Sequence, residues 1–206
     1  KDNVKESALK IQKALEAYNT LTEEQRSKIT NISKLNDAIK TTAEINHSVN
    51  IDGNQISVEG LEWNIKLVIE DISDEARETL TKEAGDKGIL ALYDIHLIDM
   101  LTGENVEVPE KGIIISFTLD KLEGYENFKV LHLIDGNILE VLTPVVNGNT
   151  ITASFKSLSP VAIVANTVEK EEPIEKEDPK DTENKDHKDN GGKKEDSVKT
   201  GDSFNP

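Results

Sequence analysis

Four histidines, a scatter of carboxylates and two serines are the groups in this 206-residue chain that could carry chemistry. His47, His96, His132 and His187 fall in neither H-x-x-x-H nor H-E-x-x-H spacing, so no metal-ligand pattern joins them. His96 and His132 each sit between apolar neighbours in an alternating stretch. They read as histidines on a strand face or rim, and they can act together only if their strands are adjacent. Asp94, Asp99, Asp120 and Asp135 are candidates for the carboxylate pair that glycosidic chemistry needs. With 40 acidic residues in the chain, chance proximity is expected, and no apolar pocket motif marks any of the four. Asn50-Ile51-Asp52-Gly53-Asn54 and Asp135-Gly136-Asn137 offer oxygen ligands for calcium, but neither reaches the ligand count and spacing of an EF-hand loop, and such turns are more often plain hairpins. G-x-S-x-G, P-loop and G-x-G-x-x-G patterns are absent, and Ser157 and Ser159 lie on the approach to a strand without a nucleophile elbow. Trp63, Tyr93 and Tyr125 are able to stack on a sugar, although a lone Trp in an alternating strand is more often core. The absence of Cys removes disulfides and thiolate sites. The expectation is a chain that is not an enzyme and holds no cofactor and no metal.

Composition narrows the partners. Net charge is −16 with 24 Lys and Arg, the wrong sign for nucleic acid and for an anionic membrane surface. No stretch approaches the ~18 apolar residues of a membrane span. The chain opens at Lys1 without a signal peptide, which reads as a fragment or a mature product. Residues 167–206 stand apart: 21 of these 40 positions are Asp, Glu or Lys, 13 acids and 8 lysines. Almost no aliphatic surface is available there to offset the entropy of ordering, so 166–206 is expected to be a disordered, extended linker. Near its end stands Ser197-Val198-Lys199-Thr200-Gly201.

The elements before that linker divide in two. Residues 1–47 read as helical. Val4, Ala8, Ile11, Ala14, Leu15 and Tyr18 recur at helical spacing. Thr22-Glu23-Glu24-Gln25 is a capping box that predicts a short helix to about Ile29. Ser33 is a candidate N-cap for a third helix carrying Leu35, Ala38 and Ile39. Residues 51–165 read as β-rich. Leu61, Trp63, Ile65, Leu67 and Ile69 alternate as a half-buried strand. A short helix follows from Ser73 to Gly85, with Ala76, Leu80 and Ala84 on one side. Further strands are expected over 89–99, 113–119, 128–134, 138–142, 150–155 and 161–165, joined by turns at Thr102–Asn105, Asp135-Gly136 and Asn147-Gly148-Asn149. Short strands with Gly and Asn turns point to an antiparallel β-sandwich, giving a mostly β chain with a helical N-terminal part.

Three segments resemble known families. AYNTLTEEQRSKITNISKL resembles the helical modules called FIVAR of large surface proteins and glycan-degrading enzymes, through Tyr18, Leu21, Thr22, Gln25, Arg26, Ile29, Thr30, Asn31 and Leu35. That resemblance implies a structural module rather than chemistry. VLHLIDGNILEVLTPVVNGNTITASFKSLSPVAIVA resembles a sandwich module found before wall-anchoring tails, through Lys129, His132, Asp135, Gly136, Phe155, Ser159, Pro160 and Ala162, and no catalytic residue comes with it. The charged linker ending in Ser197, Val198, Lys199, Thr200 and Gly201 resembles the sorting signal of Gram-positive surface proteins, with Ser-Val in place of the common Leu-Pro. The resemblance implies a sortase as partner, cleavage between Thr200 and Gly201, covalent attachment of Thr200 to peptidoglycan, and an extracellular, cell wall-anchored location. It also implies an apolar span and basic end beyond Pro206.

The leading expectation is therefore a non-catalytic stalk that displays an upstream domain from the wall. Two alternatives stay open: an adhesin-type module for a host glycan or protein, and the accessory C-terminal part of an extracellular glycan-active enzyme.

Overall fold

The computed structural model describes residues 2–134 and 138–168. These are mostly antiparallel β-structure with four helices. Three helices come first in the chain: α1 (Asp2–Thr20), α2 (Glu23–Ser27) and α3 (Ile32–Asn46). The Thr22 capping box forms as expected. The Thr22 hydroxyl accepts from the Gln25 amide at 3.3 Å, and Gln25 Oε1 accepts from the Thr22 amide at 2.8 Å. Ser33 is not the N-cap of α3. The helix already begins at Ile32 behind Asn31, whose side chain makes no capping bond, so Ser33 sits inside the first turn.

Two sheets follow. The first has the order β1-β2-β6-β10-β9, with β1 (Ser48–Ile51), β2 (Asn54–Glu59), β6 (Ile113–Thr118), β10 (Thr150–Phe155) and β9 (Val145–Asn147). The second has the order β3-β4-β11-β7-β8, with β3 (Ile65–Glu70), β4 (Gly88–Asp99), β11 (Val161–Thr167), β7 (Tyr125–Ile134) and β8 (Ile138–Leu142). The two-residue β5 (Asn105–Val106) also pairs with β4. Every pairing is antiparallel.

Alternation places the core. Ile56, Val58, Ile113, Ile115, Phe117, Ile151 and Phe155 of the first sheet share one apolar cluster with Leu67, Tyr93, Ile95, Leu97, Val130, Val161 and Ile163 of the second. Tyr93 stacks on Phe117 across it, ring centroids 6.1 Å apart. The opposite face of the second sheet is covered by α4 (Asp74–Ala84), which Ser73 caps through the Ala76 amide. Ala76, Leu80 and Ala84 pack there on Leu131, Leu133, Ala162 and Val164. This helix explains why β11 reads Val-Ala-Ile-Val-Ala without alternation: both of its faces are buried.

Some strand expectations shift. The stretch from Leu61 to Asn64 is not strand. The chain turns there, Ile65 donating to the Glu62 carbonyl, and the strand starts at Ile65. Asp52-Gly53 is the hairpin turn between β1 and β2, with Asp52 at φ 50° and Gly53 at φ 80°. The Asp135–Asn137 turn lies outside the described residues, although its flanks pair in register, Ile134 opposite Ile138. Gly112 is needed twice over. Its φ is +78°, and a Cβ there would stand 2.9 Å from the Phe155 carbonyl oxygen.

Leu80 is fully buried in the α4 contact whereas Ile45 on α3 is 62% exposed. Leu80→Ala is expected to cost about 2–5 kcal/mol, and Ile45→Ala to stay within about 0.5 kcal/mol, by urea unfolding. Equal effects would mean that α4 does not seal the second sheet.

Candidate functional site

His132 is the one buried imidazole, at 0% exposure, among the described residues. On β7 it shares a face with Val130 and points into the core common to both sheets, its ring edge-on to Phe155 at 5.5 Å. Both ring nitrogens of a buried imidazole need partners. Nδ1 lies 3.0 Å from Oε2 of Glu140, which stands directly opposite on β8. Nε2 lies 2.8 Å from Oγ of Ser159. The Ser159 hydroxyl also donates to the Leu133 carbonyl at 2.6 Å, while the Leu133 amide donates to the Pro160 carbonyl at 2.9 Å. Ser159 and Pro160 thus clasp β7 at two points, and the next residue, Val161, enters the ladder opposite His132.

The order carboxylate, imidazole, hydroxyl is that of a charge-relay triad. The setting differs from a working one. The imidazole is sealed, whereas the Glu140 side chain is 45% exposed. The hydroxyl is bonded to a backbone carbonyl as well as to the ring. Ser159 does not line the clefts that hold Tyr18, His96, Tyr125 or Gly112. What this arrangement can do is hold: it satisfies a polar group inside the core and fixes where β11 begins.

The remaining expected residues are dispersed. β11 runs between β4 and β7, so His96 and His132 are not on neighbouring strands and the paired role fails. His96 lies 3.8 Å from Glu70 and lines a cleft of about 300 Å³ with Val106, Lys156 and Leu158. His47 caps α3 and faces the Glu62 carbonyl at 3.0 Å. His187 lies outside the described residues, as do Ser197, Val198, Lys199, Thr200 and Gly201.

The four aspartates have separate local tasks where they are described. Asp99 accepts from Asn64 Nδ2 at 2.9 Å and from the Leu101 amide at 2.8 Å. Asp120 is engaged through its backbone, by Asn54 and by Asn149. Asp94 stands opposite Glu70. Burial raises the Asp94 carboxyl above its ordinary value, His96 opposes that shift, and Glu70 adds to it. Asp135 is outside the described residues. No group of three or more His, Asp or Glu is arranged to hold a metal among the described residues. Of the aromatics, Tyr93 is core. Burial raises its hydroxyl above the usual phenol value, against a bond donated by Asn54 at 3.0 Å. Trp63 is half-buried in the turn before β3, where its carbonyl accepts from Asn46. Tyr125 lines a cleft with Leu119, Asp120 and Lys121.

The motif residues of the helical part have structural roles. Tyr18, Leu21, Ile29 and Leu35 line an apolar cleft of about 540 Å³ between α1 and α3. Arg26 lies 5.2 Å over the Tyr18 ring and donates to the Tyr18 and Asn19 carbonyls. Glu140 was invisible to spacing alone. The signal that finds it is register: a two-stranded pairing about Asp135–Asn137 puts residue 140 opposite 132.

Ser159→Ala leaves a buried ring nitrogen without its partner and is expected to cost about 1–3 kcal/mol in urea unfolding. A fluorophosphonate probe is expected to leave Ser159 unmodified by mass spectrometry; labelling there would reassign it as a nucleophile. For Asp94, a raised folded value means that the native state holds the proton more tightly than the unfolded chain. The penalty is absent below the ordinary carboxylate value of about 3.9 and grows as pH rises through the folded value. Asp94→Asn is therefore expected to raise the urea midpoint at pH 7 and to leave it unchanged near pH 3.5. A midpoint gain that is the same at both pH values would remove the burial argument. No family model, curated protein or solved structure matches the chain.

Proposed function

We propose that this chain is a non-catalytic spacer from a Gram-positive surface protein, made of a FIVAR-like helical module, a β-sandwich module and a wall-spanning linker with a sorting signal. The observation that carries the reading is the sequence after β11: a segment dominated by Asp, Glu and Lys that leads to Ser197-Val198-Lys199-Thr200-Gly201. A transpeptidase thiolate would attack the Thr200 carbonyl, the Gly201 amine would leave, and an amine of the peptidoglycan would displace the thiolate, leaving Thr200 amide-linked to the wall. Two further observations support the reading. The residues that carry the helical resemblance cap and line helices, and the His132–Ser159–Pro160 clasp ties strands together around a fully buried imidazole.

A second reading, a module that holds a host glycan or protein, draws on the cleft where Tyr125 meets Asp120 and Lys121. Glycan-array binding lost in Tyr125→Ala would favour it.

The test of anchoring uses the purified chain, a panel of sortases and a glycine-based amine. The expected product ends at Thr200 and carries the amine, and Thr200→Ala and Gly201→Ala abolish it. An intact chain after treatment with every sortase would remove the sorting reading.

A further inference from the structure

Strand β4 serves as a ruler along the second sheet. Its Asp99 end pairs with Ile65, its middle residue Tyr93 with Val161, and its Gly88 end with Ala165. At the Asp99 end, just before Ile65, the helical part is fastened: Asn46 Nδ2 donates to the Trp63 carbonyl at 2.9 Å, and His47 faces the Glu62 carbonyl at 3.0 Å. Beyond the Gly88 end the chain leaves through Thr167, paired with Tyr125. The two attachment points therefore lie at opposite ends of a twelve-residue strand, about 36–40 Å apart along the strand direction. A pull between them runs parallel to the strands and perpendicular to the ladder bonds.

The two ends are held very differently. β11 pairs on both sides, and Val161 to Ala165 are each 0% exposed. Bonds perpendicular to a pull share it, so β11 has to give up its pairings with β4 and β7 together. The Ser159–Pro160 clasp holds its start, and the Val168 amide holds its finish on the Gly124 carbonyl at 2.8 Å. At the other end, Ala8, Ile11 and Asn46 are the buried residues described in α1 to α3, and α2 has none. Helix bonds lie along the axis and yield one after another. β1 is a four-residue edge strand with no buried residue.

We propose that the folded unit yields to tension from one side only: α1 to β1 let out first, while β11 stays locked between β4 and β7. Resting on the wall-anchored reading, this makes the helical segment an extensible element and keeps the wall-side strand folded under load. An upstream domain would then feel a softened pull.

Optical tweezers on the full chain, held by its two termini, test it. Two events are expected. The first, at lower force, releases Asp2–Ile51, roughly 160 Å of contour. At constant force Asn46→Ala speeds that first event roughly 5- to 10-fold, the loss of one hydrogen bond. Ser159→Ala leaves its rate unchanged. A single event that releases the whole unit would overturn the proposal, as would a first event accelerated by Ser159→Ala rather than by Asn46→Ala. No sortase takes part, so the measurement fails or succeeds apart from anchoring. Staged yielding in a chain that sortases do not cut would leave the mechanics standing and remove its role at the wall.

Discussion

The second sheet exists because its last strand arrives. Among the described residues β11 is what joins the β3-β4-β5 group to the β7-β8 pair, so without it the sheet separates into that group and a lone hairpin. An isolated hairpin is marginal in water. β11 also supplies both cores at once, Val161 and Ile163 to one face and Ala162 and Val164 to the other. The partners of Val161 are Tyr93 and His132, 68 and 29 positions back. Contacts this distant in sequence carry a large closure entropy, and that entropy has to be met before β11 returns any burial.

That constraint gives His132 its meaning. A strand that must slot between two others needs a fixed register, because a slip of one residue exchanges its two faces. Here the faces differ, one lying under α4 and one against the first sheet, yet Val-Ala-Ile-Val-Ala is apolar throughout and discriminates weakly between them. A buried polar group discriminates strongly, since Ser159 in any other position would leave an imidazole nitrogen unsatisfied. The Ser159 and Pro160 bonds to Leu133 act in the same sense. Inside the apolar core, the bonds of this polar cluster constrain the register in which β11 can enter.

Local chemistry was legible in the sequence, and non-local chemistry was not. The Thr22 capping box, the Ser73 cap, and the strands around Ile95, Ile115 and Ile151 follow from spacing that a few residues define. Ser33 misled because a good capping residue stood two positions late in a helix whose actual boundary residue, Asn31, forms no side-chain bond. The strand begun at Leu61 misled because Leu61 and Trp63 keep the alternating pattern through a turn, and no pattern shows that Asn46, 17 positions earlier, bonds to the Trp63 carbonyl. β1 and β2 fall outside the expected strands, although the Asp52-Gly53 turn between them reads more readily as a plain hairpin than as a calcium loop. His132 and Ser159 stand out by residue type, but Glu140 and the Leu133 clasp depend on which strands pair. No single-residue feature reports that.

Charge separates the two kinds of information further. Residues 167–206 carry 13 acids against 8 lysines, a net of −5 of the chain's −16, so −11 belongs to residues 1–166. In the folded part what those charges can do depends on geometry: burial, with a smaller contribution from Glu70, raises the Asp94 carboxyl above its ordinary value, whereas Glu6 beside Lys10 at 2.7 Å gains an exposed partner. In the C-terminal segment no geometry is needed for the argument. Composition alone sets how little apolar surface is available to bury. The fold had to be seen to learn what its polar residues do, whereas the functional reading of Thr200 and Gly201 rests on the order of residues along the chain. The two meet at β11, the strand through which any load on that segment enters the folded unit.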